Sequence, residues 1–444
     1  MQTLPKNAVG TKSGTLPILK EQQAKGLLRA FLALRHRNFR LFWCGQLISL
    51  MGTWMQSIGQ SWLVLELTHS AWLLGLVGAL QFLPVMLLSL FGGVLADRLP
   101  KRKVLLFTQS FAMTQAFVMW ILVASGQIQL WHILVLAALL GLTNALDMPT
   151  RQAFVVEMVG REDLPNAIAL NSSLFNMARI VGPGIGGLII AWQGVGLLFL
   201  LNAISFIAVL IGLAMIDMSK LHAQVKRLVV PEGTRRQGTL QSLREGLAYV
   251  RRTPSVLLII VVIGVISLFG INFNVVLPLF ATAVLNVGPT GFGFISSAFG
   301  IGSLMCALWL AWSNHKPTIL YAVGSGLAFS VILALFAISH SYALSLLLIA
   351  GVGFAQIAFS ATSNTTLQTV TPNHLRGRVM SVYMLVFAGS TPLGNLFTGG
   401  LAHWFGAPGA LLIDAGLCII AAVVALIMRK PAERSLAEST RLAD

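Results

Sequence analysis

The chain has 444 residues, of which 56% are hydrophobic and only 10% are charged. Because a soluble protein carries about 25% charged residues, this composition excludes a soluble globular protein and indicates a surface that faces lipid. The net charge of +16 would suit a nucleic-acid partner, but the Lys and Arg residues lie in short clusters between apolar runs, so none is predicted. The three cysteines lie inside apolar runs without ligand spacing, so we predict no disulfide framework, metal site or cofactor.

Twelve apolar runs follow one another along the chain, each about 19 to 26 residues long, and roughly 20 helical residues cross a bilayer core. Strands that span a membrane need only about 10 residues and alternate in polarity. We therefore predict an all-α membrane protein with twelve transmembrane helices. The runs are 41–65, 71–95, 104–124, 131–149, 168–191, 195–216, 256–281, 291–312, 318–338, 343–363, 379–401 and 409–428.

The basic residues alternate between loops. Of the 30 Lys and Arg residues, eight precede residue 41, four lie at 98–103 and eight lie at 220–252, whereas every other loop, starting after run 1, has none. This positive-inside pattern predicts that both termini are cytoplasmic. The predicted segments are a cytoplasmic N-terminal segment (1–40) with an interfacial helix at 21–38, a first six-helix bundle (41–217), a cytoplasmic linker with an amphipathic helix (218–254), a second six-helix bundle (255–428) and a cytoplasmic tail (429–444).

Run 1 carries a polar stripe at helical spacing: Gln46, Ser49, Thr53, Gln56 and Gln60. The stripe has two interpretations, a face buried against neighbouring helices or the wall of a water-filled path. Because five polar groups facing lipid are costly, we favour the path. Gln46, Thr53, Gln56 and Gln60 are therefore candidate substrate-binding residues.

The loop between runs 2 and 3 compresses four cations and one carboxylate into seven residues. The order of Gly93, Asp97, Arg98 and Arg102 resembles motif A of the major facilitator superfamily, with Pro100 where that family usually has Gly. This resemblance implies that Asp97 holds the two halves together on the cytoplasmic side in one conformational state.

At the end of run 4, Asp147 and Arg151 are four residues apart, which predicts an ion pair or a share in the cluster of Asp97 and Arg102.

Run 5 contains glycines that formally match a dinucleotide-binding fingerprint, but no βαβ unit surrounds them. The better interpretation is close helix packing through Gly182 and Gly186, with Pro183 bending the helix and Gly187 following. The segment resembles motif C of the same superfamily, which is associated with antiporters, and Ala178 stands at its first Gly.

Arg179 is the only cation inside a run, on one stripe with Asn176 and the small residues of run 5. A lone Arg near the bilayer centre must face protein or water. It either binds backbone carbonyls or the glutamines of run 1, or it binds an anionic or acceptor-rich substrate. Runs 7 and 10 add Asn272, Gln356 and Ser360, and the resemblance implies that helices 1, 4, 7 and 10 line a central path.

Residues 35–430 resemble the superfamily as a whole. Within it, the stretches from Arg37 to Lys103 and from Asp147 to Gly187 most resemble the transmembrane secretion effector group, which includes a bacterial enterobactin exporter and macrolide efflux proteins. The resemblance implies two six-helix bundles related by a pseudo-two-fold axis and alternating access in a bacterial inner membrane. It further implies a monomeric secondary-active exporter of a bulky amphipathic molecule, such as a drug or siderophore-like metabolite, with a proton as coupling ion and lipid around it. The alternative is uptake or facilitated diffusion of a small metabolite on the same fold.

An enzyme or receptor would need a cluster of acids, histidines or Ser/His/Asp at one depth, and the sequence has none. It also lacks a P-loop for ATP. The carboxylates are placed near run ends, with Glu66 and Asp414 toward the outer ends and Asp147 and Asp217 toward the inner ends. We therefore expect no carboxylate at mid-membrane, so the sequence does not itself show which residue would carry a proton.

Overall fold

The computed structural model describes residues 26–222, 239–313 and 318–441, and these residues form helices without a strand. A 3₁₀ helix precedes α1, and a π-helical turn, Ile266–Gly270, connects α8 to the break before α9. The α-helices are α1 (Arg37–Thr68), α2 (Ala71–Arg98), α3 (Lys101–Ala124), α4 (Leu130–Val159), α5 (Leu164–Gln193), α6 (Gly196–Ala214), α7 (Thr239–Arg252), α8 (Pro254–Val265), α9 (Phe273–Ala283), α10 (Pro289–Trp312), α11 (Ile319–Ala337), α12 (Tyr342–Val370) and α13 (Asn373–Arg441).

Ten stretches of these helices are long and apolar enough to cross a membrane. One of them, Asn373–Lys430, contains two predicted runs, because Gly406 turns the chain with a φ of 69° that residues other than glycine rarely adopt. α1 adds another membrane-length helix of 32 residues, whose polar side chains lower its hydropathy. The twelve predicted spans are thus confirmed, and we number them 1–12 in chain order.

Spans 1–6 are α1–α6, and span 7 consists of α8, the π-helical turn and α9. Spans 8, 9 and 10 are α10, α11 and α12, while spans 11 and 12 are the parts of α13 before and after Gly406. The loops after even-numbered spans lie at one end of the molecule, which we call the basic face because the clustered cations lie there. The loops after odd-numbered spans lie at the opposite face.

Several boundaries differ from the prediction. α1 begins at Arg37 rather than at residue 41. The predicted interfacial helix at 21–38 is a 3₁₀ helix, Gly26–Arg35, and its first five residues lie outside the described part. Ala33 is buried, and its N–H donates to Asn166 at 2.9 Å, so this segment packs against the first bundle. The linker contains α7, with 223–238 outside the described residues, and the predicted tail is helical to Arg441.

The two halves of the chain repeat the same helix contacts. Span 2 packs on span 4 and span 3 on span 6; six spans later, span 8 packs on span 10 and span 9 on span 12. Between the halves, span 2 packs on span 11 and span 5 on span 8. The second helix of each half therefore contacts the fifth helix of the other half, as a two-fold axis requires. The fold consists of two six-helix bundles related by pseudo-two-fold symmetry.

The bundles approach each other closely toward the opposite face. A Cβ added at Gly187 would lie 3.0 Å from the Cα of Gly293, and one at Gly399 would lie 3.0 Å from the Cα of Gly75. Near the same face, Trp62 of span 1 stacks on Phe292 of span 8 with ring centroids 6.1 Å apart. These contacts join the bundles through backbone and aromatic packing.

Toward the basic face, three ion pairs stabilise individual bundles. Lys101 binds Glu157 at 2.7 Å and Arg35 binds Asp163 at 2.9 Å within the first bundle. Within the second half, Arg378 binds Glu245 of α7 at 2.8 Å. The amphipathic helix α7 is thereby attached to the beginning of span 11.

Candidate functional site

Arg179 lies at the contact between the two bundles. Its guanidinium lies over the ring of Phe299 in span 8, with 4.9 Å between the guanidinium carbon and the ring centroid. Its Nε and Nη2 atoms are buried and have no hydrogen-bond partner among the described residues. The expected bonds to carbonyls or to run-1 glutamines are therefore wrong for these atoms. Span 5 faces span 8 of the other bundle, so an aromatic face lies where such acceptors were expected.

Aromatic rings continue from Phe299 into the second bundle. Phe273 packs on Phe299 with ring centroids 4.4 Å apart, and Phe329 meets Phe273 edge-on at 6.4 Å. Phe273 is the first residue of α9, directly after the break in span 7. Arg179 thus lies beside an apolar wall built by spans 7, 8 and 9.

Span 10, which packs on span 8, carries two more polar atoms without a partner among the described residues. Gly353 packs directly against Phe299, and its carbonyl accepts a hydrogen bond from Ser303 at 3.2 Å. Gln356 lies three residues further along the same helix, and Ser360 one turn beyond it. The Gln356 Oε1 and Ser360 Oγ atoms are buried without a partner in the described part of the chain. These groups could bind a molecule that enters between the bundles.

Asn176 and Thr53 remain accessible. Asn176 is partly exposed and lies one turn before Arg179, with its amide donating to the carbonyl of Ser172 at 2.9 Å. Thr53 is exposed, and its hydroxyl donates to the carbonyl of Ser49 at 2.9 Å. Both side chains make these bonds within their own helix and stay at least partly accessible.

The three glutamines of span 1 are buried inside the first bundle, which corrects their placement along a water-filled path. Gln46, Gln56 and Gln60 are each no more than 5% exposed. Gln56 donates to Gln115 at 3.1 Å and accepts from Asn202 at 2.6 Å. The polar stripe of span 1 therefore faces spans 3 and 6 at this level, since helix packing buries that side.

Asn272 also lies away from the predicted substrate path. Its side chain is 3% exposed, and its amide donates to the carbonyl of Leu268 at 2.8 Å and to Thr398 Oγ1 at 2.9 Å. The break in span 7 turns this side chain toward span 11, into the interior of the second bundle. Asn272 therefore belongs to the polar interior of the second bundle and is not a candidate substrate-binding residue.

Asp147 and Arg151 form an ion pair within span 4. Asp147 is 2% exposed and also accepts hydrogen bonds from Thr108 at 2.7 Å and Gln109 at 2.8 Å. Arg151 in turn donates to Gln46 of span 1. Sequence reasoning missed Thr108 and Gln109, although both are polar positions in an apolar run. The cluster connects spans 1, 3 and 4 of the first bundle.

The basic loop after span 2 also binds within the first bundle. Arg102 donates from Nε to the carbonyl of Leu213 at 2.8 Å and from Nη2 to that of Ala214 at 2.6 Å, at the C-terminal end of α6. A cation suits the negative end of a helix dipole. Arg98 is exposed, Gly93 has open space where a Cβ would lie, and the side chain of Asp97 lies outside the described part.

The glycines of span 5 face two different helices. Cβ atoms at Gly182 and Gly186 would lie 2.7 Å from Trp54 Cβ and 2.9 Å from Ile58 Cδ1, both in span 1. Gly187 faces span 8 of the other bundle instead, and Pro183 lies between Gly182 and Gly186 within the helix. This short segment therefore packs span 5 closely against both its own bundle and the other one.

A separate cavity of about 870 Å³ opens at the opposite face. Its walls come from the C-terminal ends of spans 1, 3 and 5 and the beginnings of spans 6 and 8, including Trp62, Glu66, Trp120 and Gln193. Nothing in the run-by-run sequence pattern indicated it, because its residues come from the ends of five separate spans. It lies near span ends, away from the Arg179 level.

Two pseudo-symmetric six-helix bundles with a cation and unpartnered polar atoms between them define a multi-pass membrane transporter. The chain belongs to the transmembrane secretion effector family of the major facilitator superfamily, whose model matches residues 29–443. It is 28% identical over 387 residues to the multidrug efflux pump Tap of Mycolicibacterium fortuitum, across 85% of this chain and 92% of that protein. It is 27% identical over 376 residues to the staphyloferrin A transporter of Staphylococcus aureus (strain NCTC 8325 / PS 47), across 83% and 90%.

Solved transporters share the fold. The nucleoside transporter NupG superimposes with a TM-score of 0.68 at 15% identity, across 90% of this chain and 99% of that chain. The predicted family, the twelve-helix fold and a transporter rather than an enzyme are confirmed.

Proposed function

We propose that this protein is a secondary-active exporter of a bulky amphipathic small molecule, such as a drug or a siderophore-like metabolite. The observation that carries the proposal is the Arg179 guanidinium, which lies on Phe299 between the two bundles. Its Nε and Nη2 atoms have no hydrogen-bond partner among the residues that the structure describes. The efflux function named for the Tap relative supports export. The mechanism proposed is alternating access with proton antiport in a bacterial inner membrane.

The chemistry beside Arg179 favours an acceptor-rich or anionic group attached to an apolar body. A guanidinium presents its N–H donors in one plane and binds planar acceptors through two hydrogen bonds. The rings of Phe299 and Phe273 offer apolar surface next to those donors. Asp147 is paired with Arg151, so it does not attract a cationic substrate. The remaining candidates are Asn176, Thr53, Gln356 and Ser360.

The inter-bundle contacts support loading from the basic face. Close backbone contacts between the bundles, at Gly187–Gly293 and Gly75–Gly399, lie toward the opposite face. The positive-inside pattern favours a cytoplasmic basic face and hence two cytoplasmic termini. A transporter that is closed on the outside and loads from the cytoplasm suits export.

Transport direction is tested in membrane vesicles of both orientations. The probes are a catecholate siderophore, a hydroxycarboxylate siderophore, a macrolide and a cationic dye, each with an imposed pH gradient. Export predicts that a probe accumulates in inside-out vesicles whose interior is acidic, and that accumulation collapses with the gradient. Accumulation only in right-side-out vesicles would favour the uptake alternative, and probe movement independent of the gradient would favour facilitated diffusion.

Arg179 is tested by comparing Arg179→Gln with Arg179→Lys. Loss of a charge-assisted hydrogen bond costs about 1.5–3 kcal/mol, or about 10- to 100-fold in affinity. We expect Arg179→Gln to weaken binding of the exported probe by this amount and Arg179→Lys to weaken it less. Arg161→Gln, at an exposed position on the basic face, is the matched control. Unchanged affinity in both Arg179 variants would make Arg179 a scaffold residue only.

A further inference from the structure

A carboxylate that pairs with no cation of the described residues lies inside the second bundle. Asp414 in span 12 is 1% exposed, and its Oδ2 accepts a hydrogen bond from Thr398 at 2.8 Å. Its Oδ1 is buried and has no partner among the described residues. The sequence placed Asp414 near the end of a run, but it lies eight residues beyond the turn at Gly406, about 12 Å along the helix.

Three helices surround this carboxylate with neutral groups. Thr398 of span 11 is fully buried and accepts from Asn272 of span 7 at 2.9 Å. One turn from Asp414, the Cys418 thiol points toward the carbonyl of Val265 at 3.9 Å. Ser330 of span 9 donates to the carbonyl of Gly326 and lies next to Cys418. Within the described ranges, Cys418 is the only titratable group facing Asp414, and no cation pairs with it.

We infer that Asp414 is the proton-binding carboxylate of this transporter, an inference that rests on the proposed proton antiport. A carboxylate buried without a cation is unfavourable in its charged form and stable when it carries a proton. Among the acids of the spans whose side chains the structure describes, Asp147 is also buried, but it is paired with Arg151. Asp414 therefore holds a proton while the second bundle is closed around it, and releases that proton when water reaches it.

The hydrogen bonds run in one direction from the break in span 7 to Asp414. Asn272 donates to Thr398, and the single hydroxyl proton of Thr398 is donated to Asp414. Asn272 follows the π-helical turn and has non-helical backbone angles, φ −100° and ψ 41°. Irregular turns in membrane helices are frequent at functional sites. A change at this break alters the Asn272–Thr398 bond and, through the hydroxyl, the environment of Asp414.

The same break connects the proton site with the candidate substrate site. Phe273 directly follows Asn272 and packs on Phe299, whose ring also contacts the guanidinium of Arg179. A substrate that displaces Phe299 or Phe273 therefore acts on the residue next to Asn272. Substrate binding and proton release therefore both involve movement at the break in span 7.

Protonation of Asp414 is tested without any transported compound. Purified full-length protein in lipid vesicles is titrated while infrared difference spectra record the carbonyl band of protonated carboxylic acids. We expect the wild type to show a band that titrates separately from the exposed acids, and Asp414→Asn to lose it. Glu162→Gln, at an exposed site on the basic face, should keep it. A wild type without this band, or an unchanged band in Asp414→Asn, overturns the inference.

Thr398→Val separates a positioning effect from a general packing effect. The hydroxyl of Thr398 stabilises the charged carboxylate by donating to it. Its removal should shift the midpoint of the Asp414 band to more alkaline pH. A midpoint equal to that of the wild type would show that the hydroxyl does not act on the proton site.

Coupling is tested with the panel compound that the wild type exports and with pyranine, a pH indicator, trapped inside the vesicles. Asp414→Asn should lose both gradient-driven accumulation and compound-dependent proton movement, while downhill exchange of the compound continues. Persistent accumulation in Asp414→Asn overturns its role in coupling. If the wild type moves the compound without protons, the proposed antiport and this coupling role fail together, and the infrared titration alone decides whether Asp414 binds a proton.

Discussion

Gly187→Ala should shift the balance between the two conformational states by separating the bundles at the opposite face. The added Cβ would lie 2.5 Å from the carbonyl oxygen of Pro289 and 3.0 Å from the Cα of Gly293. Carbon and carbonyl oxygen normally approach to about 3.3 Å, so spans 5 and 8 must part by about 0.8 Å at this level. The separation disfavours the state seen in the structure.

The free-energy change is set by the cost of overpacking a closely packed contact, about 1–3 kcal/mol. The gain in helix propensity from glycine to alanine does not enter an equilibrium between two states in which span 5 is helical. The state seen in the structure is therefore destabilised by about 1–3 kcal/mol, roughly 5- to 150-fold in a two-state equilibrium. Gly416→Ala in span 12 is the matched control, because its Cβ would meet nothing within 4 Å.

The assay measures distances by pulsed electron paramagnetic resonance between labels at Gln127 and His340, which are exposed at the opposite face on different bundles. The exposed native Cys44 is replaced by Ser in all variants. We expect Gly187→Ala to populate longer distances and Gly416→Ala to keep the parent distribution. Identical distributions in the two variants would refute the reasoning that Gly187 holds the bundles together.

Two further predictions concern the basic face. Asp97→Asn should strongly reduce transport of the exported probe at unchanged protein level in the membrane, because it removes the only acid within the sequence 97–103, which carries four cations. Transport near that of the wild type would exclude a latch role. The pKa of Asp163 is lowered, since burial raises it but hydrogen bonds and charges from His36 and Arg35 outweigh that effect. Its stabilising contribution is thus present above the ordinary value of 3.8 and lost as the pH falls through the lower folded value. Asp163→Asn should lower stability by about 1 kcal/mol or less near neutral pH, measured by thermal unfolding, and a deficit that persisted in acid would contradict this.

The sequence by itself determined the architecture of this protein. Its low charge and twelve apolar runs dictate membrane-spanning helices, because a backbone in lipid must satisfy its own hydrogen bonds. The glycines of run 5 indicated close packing from their spacing alone. Asp147 and Arg151 could be paired for a similar reason, since residues four apart lie on one side of a helix. These inferences need only the geometry of a single helix.

Other assignments required the tertiary structure, because they depend on which way each helix is turned. The polar stripe of span 1 was visible in the sequence, yet only packing against spans 3 and 6 shows that Gln56 faces Gln115 and Asn202. Likewise, Arg179 meets Phe299, 120 residues away in the other bundle, and no local pattern indicates that contact.

Asp414 illustrates the physical reason most directly. In the sequence it is an acid near a run end, and Thr398 and Asn272 are single polar residues in separate apolar segments. The turn at Gly406 brings spans 11 and 12 together, and the break in span 7 points Asn272 at Thr398. Helix periodicity fixes relations within one span, whereas burial and hydrogen bonding between spans depend on rotation, depth and neighbours, which only the packed structure determines.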